Sequence, residues 1–188
     1  IRVEIYWDYL NDPTKKTVLA TGGSLGAKGN NEAIYANIDD FKKADVQLIW
    51  QTGKPFVETA TAVAVENRNI WVNSFIAQME YAYAAADVVI SRAGAMAIAE
   101  LSVVKKRVVF VPFPFAAEDH QTVNAQSLVS KNAGIMVRDG EAKEKLVTAA
   151  IALAKDEAKQ IELKQNIGRL AVTNADEVVA AEILKAIK

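Results

Sequence analysis

The sequence predicts an α/β domain built on a doubly wound, Rossmann-like parallel sheet. Three observations support this fold class. Short strand-like apolar runs alternate with helix-like segments almost throughout the chain. Strands that are apolar along their whole length are typical of parallel sheets covered by helices on both faces and joined by right-handed crossovers. Distinctive loops follow several of these strands, at the sheet edge where such folds bind ligands.

The predicted strands are short and apolar. The first is Thr17-Val18-Leu19-Ala20-Thr21, and the fifth, Val108-Val109-Phe110-Val111, is closed by Pro112. The full set of expected strands is residues 17–21, 46–50, 69–72, 87–90, 108–111 and 134–137.

Helices are expected between the strands and at the end of the chain. The connecting helices are expected at residues 31–43, 54–66, 77–86, 94–104 and 118–132. Gly134 is placed to terminate the last of these. From residue 141 onward the chain is expected to be helical, with breaks near Asp156 and near residues 173–174.

The chain is expected to hold one domain, at residues 17–188. No internal repeat and no convincing linker divides it, and a domain of this length buries roughly 70% of its unfolded surface. Residues 1–16 are expected to be a leading segment from a missing upstream domain. The first residue is Ile1 rather than Met, which is why we expect a piece of a longer protein.

The composition excludes several classes of function. The chain has no cysteine, which excludes disulfides, thiolate catalysis and cysteine-based zinc sites. Its net charge of −1 gives no general electrostatic argument for nucleic acid. No apolar stretch approaches the ~20 residues that a membrane-spanning helix needs. The basic run Lys105-Lys106-Arg107 is interpreted as a solvated turn.

A glycine-rich loop, Gly22-Gly23-Ser24-Leu25-Gly26-Ala27, joins the first strand to its helix. Glycines in such a loop let backbone N–H groups approach an anion at the helix N-terminus. The spacing fits neither the dinucleotide fingerprint G-x-G-x-x-G nor the Gly-Lys-Ser/Thr of a P-loop. A tight turn that binds no ligand remains the alternative.

A second strand-to-helix junction lies at residues 91–100. The small residues Ala93, Gly94 and Ala95 leave the first-turn N–H groups accessible, as a diphosphate requires. Glu100 lies about two turns further on among apolar neighbours. We expect a buried acid there that makes a structural hydrogen bond or accepts from a vicinal diol such as a ribose. Arg92 pairs either with phosphate or, as is commoner, with a neighbouring carboxylate.

Two further groups of residues are candidates for ligand contact. Phe75 and Ile76 follow the third strand and either cap a planar base or act as a hydrophobic staple for the next helix. His120, Gln121 and Asn124 are spaced to share one arc near a helix N-terminus. Such neutral hydrogen-bonding side chains suit a polyhydroxylated ligand, so the chain is expected to bind a sugar nucleotide. His120 is the only histidine and no acidic cluster surrounds it, which favours hydrogen bonding or packing over a metal site.

Together these loops resemble those of the MurG family, peptidoglycan glycosyltransferases that move N-acetylglucosamine from UDP onto lipid I. The matching pieces are the loop at residues 22–27, Ser91-Arg92-Ala93-Gly94-Ala95 with Glu100, and Pro112-Phe113 leading to Asp119-His120-Gln121-x-x-Asn124-Ala125. The likeness runs from about Thr17 to the end of the chain. It implies a GT-B fold, in which two Rossmann-like domains face each other across a cleft. This chain would be the C-terminal, donor-binding half.

The resemblance also implies roles for individual residues in binding the nucleotide. Ile76 would hydrogen-bond uracil through its backbone, with Phe75 beside it, and Glu100 would hold the ribose hydroxyls. N–H groups within residues 95–99 would bind the diphosphate. These include Ala95, Met96 and Ala97, next to Gly94. Ala97 stands where the family often has Thr.

The remaining implied contacts are with the sugar and the phosphates. Gln121 and Asn124 would hold the sugar hydroxyls, with His120 adjacent, and Ser24 would lie near the donor sugar or phosphates. Arg2 would contact a donor phosphate, as the remnant of an Asn-Pro-x-Arg motif.

The implied reaction is an inverting transfer of N-acetylglucosamine from UDP-N-acetylglucosamine to lipid I, without a metal or cofactor. The general base, the lipid I site and the membrane contact would lie in the missing half, so this chain alone would be inactive. The whole enzyme would be cytoplasmic and peripheral on the inner face of the bacterial cell membrane. The alternatives are another GT-B enzyme, such as a UDP-N-acetylglucosamine 2-epimerase, and a non-catalytic nucleotide-binding Rossmann module.

Overall fold

A computed structural model describes residues 12–65 and 67–187 of the chain. The proposed phosphate contact of Arg2 lies outside the described residues, as does most of the expected leading segment. Within the described part, no helix combines the length and the apolar character that crossing a lipid bilayer requires.

Six parallel strands form one sheet, which confirms the predicted fold class. Their spatial order is β3-β2-β1-β4-β5-β6. Every neighbouring pair is parallel; for example, Leu19 of β1 lies between Ile49 of β2 and Val89 of β4. The strands are β1 Thr17–Thr21, β2 Gln47–Gln51, β3 Ile70–Asn73, β4 Val88–Ser91, β5 Arg107–Phe110 and β6 Ile135–Met136.

Helices connect the strands and continue beyond the last one. In chain order they are α1 Lys28–Ala36, α2 Ile38–Ala44, α3 Val57–Ala64, α4 Met79–Ala85, α5 Ala95–Val103, α6 His120–Val129, α7 Ala142–Lys155, α8 Glu157–Gly168 and α9 Ala175–Ala186. Short 3-10 turns precede α3, α6 and α7, at Lys54–Phe56, Ala117–Asp119 and Asp139–Glu141. Helix α9 contributes no buried residue.

Alternate strand residues enter two separate hydrophobic cores, one on each face of the sheet. In β1, Val18 and Ala20 pack into the core that contains residues of α1, α2, α3 and α7, whereas Leu19 packs into the core that contains residues of α4, α5 and α6. All three residues are at most 2% exposed. Burial on both faces explains why the strands are continuously apolar in sequence.

The strand order creates one crevice at the carboxyl edge of the sheet. From β1 the chain passes through α1 and α2 to β2 on one side of β1, whereas from β4 it passes through α5 to β5 on the other side. The loops that leave β1 and β4 therefore diverge, and a topological switch point opens between them. These are the two glycine-containing loops that the sequence analysis selected.

The helix predicted at residues 31–43 is interrupted in the structure. Asn37 (φ −124°, ψ 25°) separates α1 from α2 and leaves helical geometry. Its side-chain Nδ2 donates to the carbonyl of Ala33 at 2.9 Å and to that of Lys143 at 2.7 Å. The prediction of one continuous helix was wrong because this amide bonds to the backbone of α7 at the break.

The prediction that Gly134 terminates the helix before β6 was wrong. Helix α6 ends at Val129, and the left-handed residue that follows it is Asn132 (φ 49°). A Cβ on Gly134 would instead lie 2.8 Å from Cε2 of Phe110. The glycine is therefore required by close packing of β6 against the Phe110 ring rather than by a helix cap.

Candidate functional site

A cavity of about 330 Å³ opens at the switch point, between the loops that follow β1 and β4. Its walls come from both loops, from the ends of β2 and β3, and from α4, α5 and α6. Seven of the residues that the family resemblance places at the donor line it: Ser24, Phe75, Ile76, Gly94, Ala97, Glu100 and Gln121. Ala95, Met96, His120 and Asn124 are not among its lining residues.

The N-terminus of α5 faces this cavity without a cap. Gly94 (φ −69°, ψ 147°) precedes the helix, and the first turn has neither a side-chain cap nor an acidic residue. The first N–H that finds a carbonyl within the helix is that of Ile98, which donates to Gly94 at 3.0 Å. The preceding amides, from Ala95 to Ala97, are therefore available to an anion. Space around Gly94 is open, since a Cβ there would contact nothing within 4 Å.

The glycine-rich loop after β1 is a tight turn that also borders the cavity. Gly23 (φ 78°) and Gly26 (φ 76°) adopt left-handed backbone, and the Gly26 N–H donates to Gly23 at 3.0 Å. A Cβ on Gly26 would lie 1.9 Å from the Thr52 carbonyl oxygen, so this position requires glycine. Ser24 is exposed at the tip of the loop and lines the cavity.

Gln51, at the end of β2, ties the loops after β1 and β3 together. The residue is 3% exposed. Its Nε2 donates to the Gly23 carbonyl at 2.9 Å, and its Oε1 accepts from the Ile76 N–H at 2.9 Å. This role was not predicted from the sequence; the available signal was a neutral amide at the carboxyl end of a strand whose centre is apolar.

The loop after β3 combines the two roles that were left open for it. Ile76 is 4% exposed and packs into a hydrophobic core, whereas Phe75 is 56% exposed on the cavity wall. Because the Ile76 N–H is already bonded to Gln51, a planar base would meet the carbonyl of Ile76 rather than its N–H.

Glu100 is exposed, so the prediction of a buried acid was wrong. Its position on α5 nevertheless places it on the cavity wall. The buried Tyr83 of α4 forms a side-chain hydrogen bond with Glu100, and burial followed by the Glu100 charge raises the pKa of Tyr83. The phenol therefore stays protonated and donates to the carboxylate. Tyr83 leaves Glu100 solvent-facing acceptor capacity for a diol.

Gln121 and Asn124 hold the loop after β4, and His120 does not share their arrangement. Gln121 Oε1 accepts from the N–H groups of Ala93 at 3.2 Å and Phe113 at 3.0 Å. Asn124 Nδ2 donates to the Ala93 carbonyl at 3.1 Å. His120 is exposed, and its Nδ1 lies 2.7 Å from the Ala117 carbonyl in the preceding turn. The expected common arc therefore holds for Gln121 and Asn124 only.

Arg92 pairs with a carboxylate, the commoner of its two predicted partners. Its Nη1 lies 2.5 Å from Asp139 Oδ1 and donates to the carbonyls of Val111 at 3.0 Å and Pro112 at 3.1 Å. Its guanidinium also lies 5.6 Å from the centre of the Phe113 ring. The pair thus fixes the segment whose Phe113 N–H orients Gln121. Asp139 was not predicted as the partner from the sequence, because it is 47 residues away from Arg92.

A second cavity of about 670 Å³ adjoins the first. The two share Gly22, Arg92 and Gln121 in their walls. The larger one is also lined by Phe113 and Phe115, whose rings meet edge to face with centres 5.7 Å apart. A ligand longer than a nucleotide could therefore extend past Gln121 from one cavity into the other.

Taken together, the site offers chemistry for binding rather than for proton transfer. It presents free amides for an anion, an exposed phenyl ring beside a carbonyl, a carboxylate and two oriented carboxamides. Among the described residues, no three His, Cys, Asp or Glu side chains lie close enough to hold a metal ion. These are the groups that a nucleotide carrying a diphosphate and a polyhydroxylated substituent would contact.

Comparison with known proteins gives consistent relatives. Residues 17–179 match the family described as "Glycosyltransferase family 28 C-terminal domain". The chain is 47% identical over 177 residues to a Bacteroides thetaiotaomicron protein named "UDP-N-acetylglucosamine--N-acetylmuramyl-(pentapeptide) pyrophosphoryl-undecaprenol N-acetylglucosamine transferase". It is 45% identical over 177 residues to the Parabacteroides distasonis protein of the same name. These matches cover 92% and 93% of this chain, and 48% of each relative.

Solved structures agree with the sequence relatives. The crystal structure of MurG from Acinetobacter baumannii superimposes with a TM-score of 0.76 at 28% sequence identity. The match covers 92% of this chain and 52% of that one. This chain therefore spans about half the length of the relatives it matches.

Proposed function

The chain belongs to the family of glycosyltransferase family 28 C-terminal domains, and we propose that it is the donor-binding half of an N-acetylglucosamine transferase, with UDP-N-acetylglucosamine as its ligand. The relatives are named for this donor and for this transfer. The single observation that carries the proposal is the uncapped N-terminus of α5 at the switch point of the sheet.

The diphosphate is the part of the donor that this helix N-terminus suits best. The free N–H groups of Ala95, Met96 and Ala97 all point out of the first turn, and the helix dipole adds positive potential there. No acidic side chain occupies the first turn to compete with an anion. Ala97 in place of the family's usual Thr removes a hydroxyl but leaves the backbone donors intact.

The nucleoside would occupy the smaller cavity. Uracil would stack near Phe75 and donate its N3–H to the Ile76 carbonyl, since the N–H of Ile76 is taken by Gln51. The ribose hydroxyls would donate to Glu100, which Tyr83 orients from the buried side. Ser24 would contact a phosphate or the sugar from the loop opposite.

The sugar would lie between the two cavities, beside Gln121. The Oε1 of Gln121 is bound by two backbone N–H groups, so only its Nε2 faces the ligand and it acts as a donor to a sugar oxygen. Asn124 donates one Nδ2 hydrogen to the Ala93 carbonyl, which leaves its Oδ1 to accept from a sugar hydroxyl. His120 forms a hydrogen bond with the preceding turn, so it lies beside the sugar and does not act as a general base.

The reaction of the whole protein would be an inverting glycosyl transfer. A hydroxyl of the lipid-linked acceptor attacks the anomeric carbon as the bond to UDP breaks, and a base in the other half takes the hydroxyl proton. The charge that develops on the leaving diphosphate is stabilised by the α5 amides, without a metal. The acceptor site and the contact with the inner face of the bacterial membrane would be supplied by the other half.

Calorimetry on the chain tests the donor site directly. We expect UDP and UDP-N-acetylglucosamine to bind at one site per chain, and uridine to bind more weakly because it lacks the diphosphate. NADH is the control, since the loop after β1 lacks the dinucleotide fingerprint. Absence of UDP binding at millimolar ligand, or NADH binding as tightly as UDP, would contradict the proposal.

A further inference from the structure

A third cavity, of about 530 Å³, lies at the opposite edge of the sheet from the candidate donor site. Its position is fixed by Arg107, the first residue of β5, and by one face of α8. Its lining consists of Lys105, Arg107, Ile161, Lys164, Gln165, Gly168 and Arg169. We call it the basic cavity. Four of its residues are cationic and none carries a carboxylate.

Three of the four cationic side chains in the basic cavity have no ion-pair partner among the described residues, whereas Arg107 is already engaged by other groups of the protein. Eight other cations in the described part of the chain form ion pairs within 4.0 Å, and other exposed lysines, such as Lys42 and Lys54, form none; the paired cations are Lys15, Lys16, Lys28, Lys43, Arg92, Lys145, Lys159 and Lys185. Across residues 12–65 and 67–187, Lys105, Lys164 and Arg169 have no such partner. The one side-chain bond of Arg169 is a long contact of 3.4 Å with Asn166 Oδ1.

Lys105 keeps its side chain in the basic cavity despite an unfavourable backbone. It follows the end of α5 with a φ of 53°, in the left-handed region that glycine adopts freely and lysine does not. Its side-chain stem lies against Gly168, where a Cβ would come within 3.1 Å of Lys105 Cγ and Cδ. The left-handed backbone of Lys105 and the missing side chain of Gly168 therefore both allow the Lys105 ammonium group to reach this cavity.

Helix dipoles account for only part of this arrangement. Lys105 follows the C-terminus of α5 and Arg169 follows that of α8, where cations are favourable. Lys164 lies a turn before the end of α8, and Arg107 lies in a strand. Capping alone therefore does not explain why Lys164 joins Lys105 and Arg169 at one cavity.

We propose that the basic cavity binds a phosphate-bearing anion, at a site separate from the donor site. Guanidinium and ammonium groups together suit phosphate oxygens, because Arg forms paired hydrogen bonds and Lys adds a mobile point charge. The same chemistry is offered by a free diphosphate and by the headgroup of an anionic lipid. Nucleic acid fits less well, since these cations surround one cavity in a chain whose net charge is −1.

Two probes distinguish the sources. Calorimetry with inorganic diphosphate, with excess UDP present to fill the donor site, tests the free anion. Sedimentation with phosphatidylglycerol vesicles, against phosphatidylcholine vesicles, tests the lipid headgroup. We expect at least one probe to bind, and Lys164→Glu to weaken that binding by about tenfold through loss of one charged contact.

Two further variants separate a specific site from general charge. Lys42→Glu changes the net charge equally at an exposed lysine of α2 and should leave the affinity unchanged. Lys105→Gly should weaken binding while raising the melting temperature, because glycine relieves the left-handed backbone. A purely structural lysine would not show these opposite effects.

The proposal is overturned if neither probe binds, if Lys164→Glu leaves the affinity intact, or if Lys42→Glu weakens it equally. Tighter binding of a short DNA duplex than of either probe would also overturn it. Because Lys42, Lys105 and Lys164 all lie away from the α5 N-terminus, failure of UDP binding would leave this test interpretable.

Discussion

Gln121 illustrates how the fold gives a neutral side chain a fixed direction. Two backbone N–H groups, those of Ala93 and Phe113, converge on its Oε1. A flipped amide would leave both donors facing an NH₂ group, so the orientation is determined. The ion pair of Arg92 with Asp139 secures the Phe113 segment from the other side. A residue that the sequence suggests only as polar thereby becomes a directed hydrogen-bond donor.

Replacing Gln121 with Glu tests that direction. The variant keeps an oxygen for the two backbone donors but replaces Nε2 with a carboxylate oxygen, which cannot donate. We expect the affinity for UDP-N-acetylglucosamine to fall by about tenfold more than the affinity for UDP, measured by calorimetry. Gln126→Glu, an exposed position on the same helix, is the matched control. Equal losses for the two ligands would remove Gln121 from the sugar contact.

Glu100 is tested most sharply by changing the ligand together with the protein. If its carboxylate accepts from the ribose, the chain should bind UDP about tenfold more tightly than 2′-deoxy-UDP. Glu100→Ala should abolish this preference. Tyr83→Phe should reduce it only in part, because the phenol orients Glu100 without touching the ribose. A preference that survives in Glu100→Ala would assign the ribose to another group.

At the scale of the element, the N-terminus of α5 can be altered without disturbing the helix. Ala95 is the first helical residue, where proline is tolerated, and Gly94 already has the extended backbone that a residue before proline prefers. Ala95→Pro therefore removes one N–H and little else.

We expect Ala95→Pro to weaken UDP binding by about tenfold and to leave the melting temperature unchanged. Uridine, which has no phosphate, is the control ligand and should bind the variant as it binds the parent chain. Unchanged UDP affinity in a folded variant would show that the Ala95 amide does not contact the diphosphate.

Two substitutions in the segment between α6 and β6 should change the free energy of unfolding in opposite directions. Gly134→Ala should lower the free energy of unfolding by about 1–3 kcal/mol, because its Cβ would press on the buried Phe110 ring. Asn132→Gly should raise it by up to about 1 kcal/mol, because Asn132 holds a left-handed backbone. Chemical denaturation measures both. If Gly134→Ala raised the free energy of unfolding and Asn132→Gly lowered it, the packing role assigned to Gly134 would be wrong.

For the whole molecule, the sequence was sufficient where one physical rule decides the outcome. Burial on both faces forces apolar strands, so the six strands and their class of sheet were predictable. Parallel strands bring their following loops to one edge, so the association of Ser24, Gly94 and Gln121 was predictable as well. The break at Asn37 and the packing role of Gly134 depend on contacts with α7 and Phe110, which no local pattern reveals.

The missed site residues have the same explanation. Gln51, Tyr83 and Asp139 lie on elements other than the two phosphate-side loops, and each acts on a partner far away in sequence. Glu100 was misplaced because apolar neighbours in sequence do not show which face of α5 a residue occupies: Leu101 is buried, whereas Ala99 and Glu100 are both exposed. Long-range contacts therefore determine the orientation of the site, whereas loop composition predicts its location.

The length of the relatives leads to a prediction about catalysis. This chain covers 48% of each of the two relatives compared, and the one carboxylate among the residues that line the cavity, Glu100, is assigned to the ribose. With UDP-N-acetylglucosamine and a lipid-linked acceptor, we expect it to form no transfer product, while a protein of the relatives' full length does. Transfer of radiolabelled sugar measures both. Product formed by this chain alone would contradict the division of roles.

The central claim is that a uridine diphosphate lies at the start of α5, and a co-crystal structure with UDP tests it most directly. We expect the phosphate oxygens within hydrogen-bond distance of the N–H groups of Ala95 to Ala97, and the ribose hydroxyls on Glu100. A nucleotide bound elsewhere on the chain, or one whose phosphates point away from that helix, would contradict the claim.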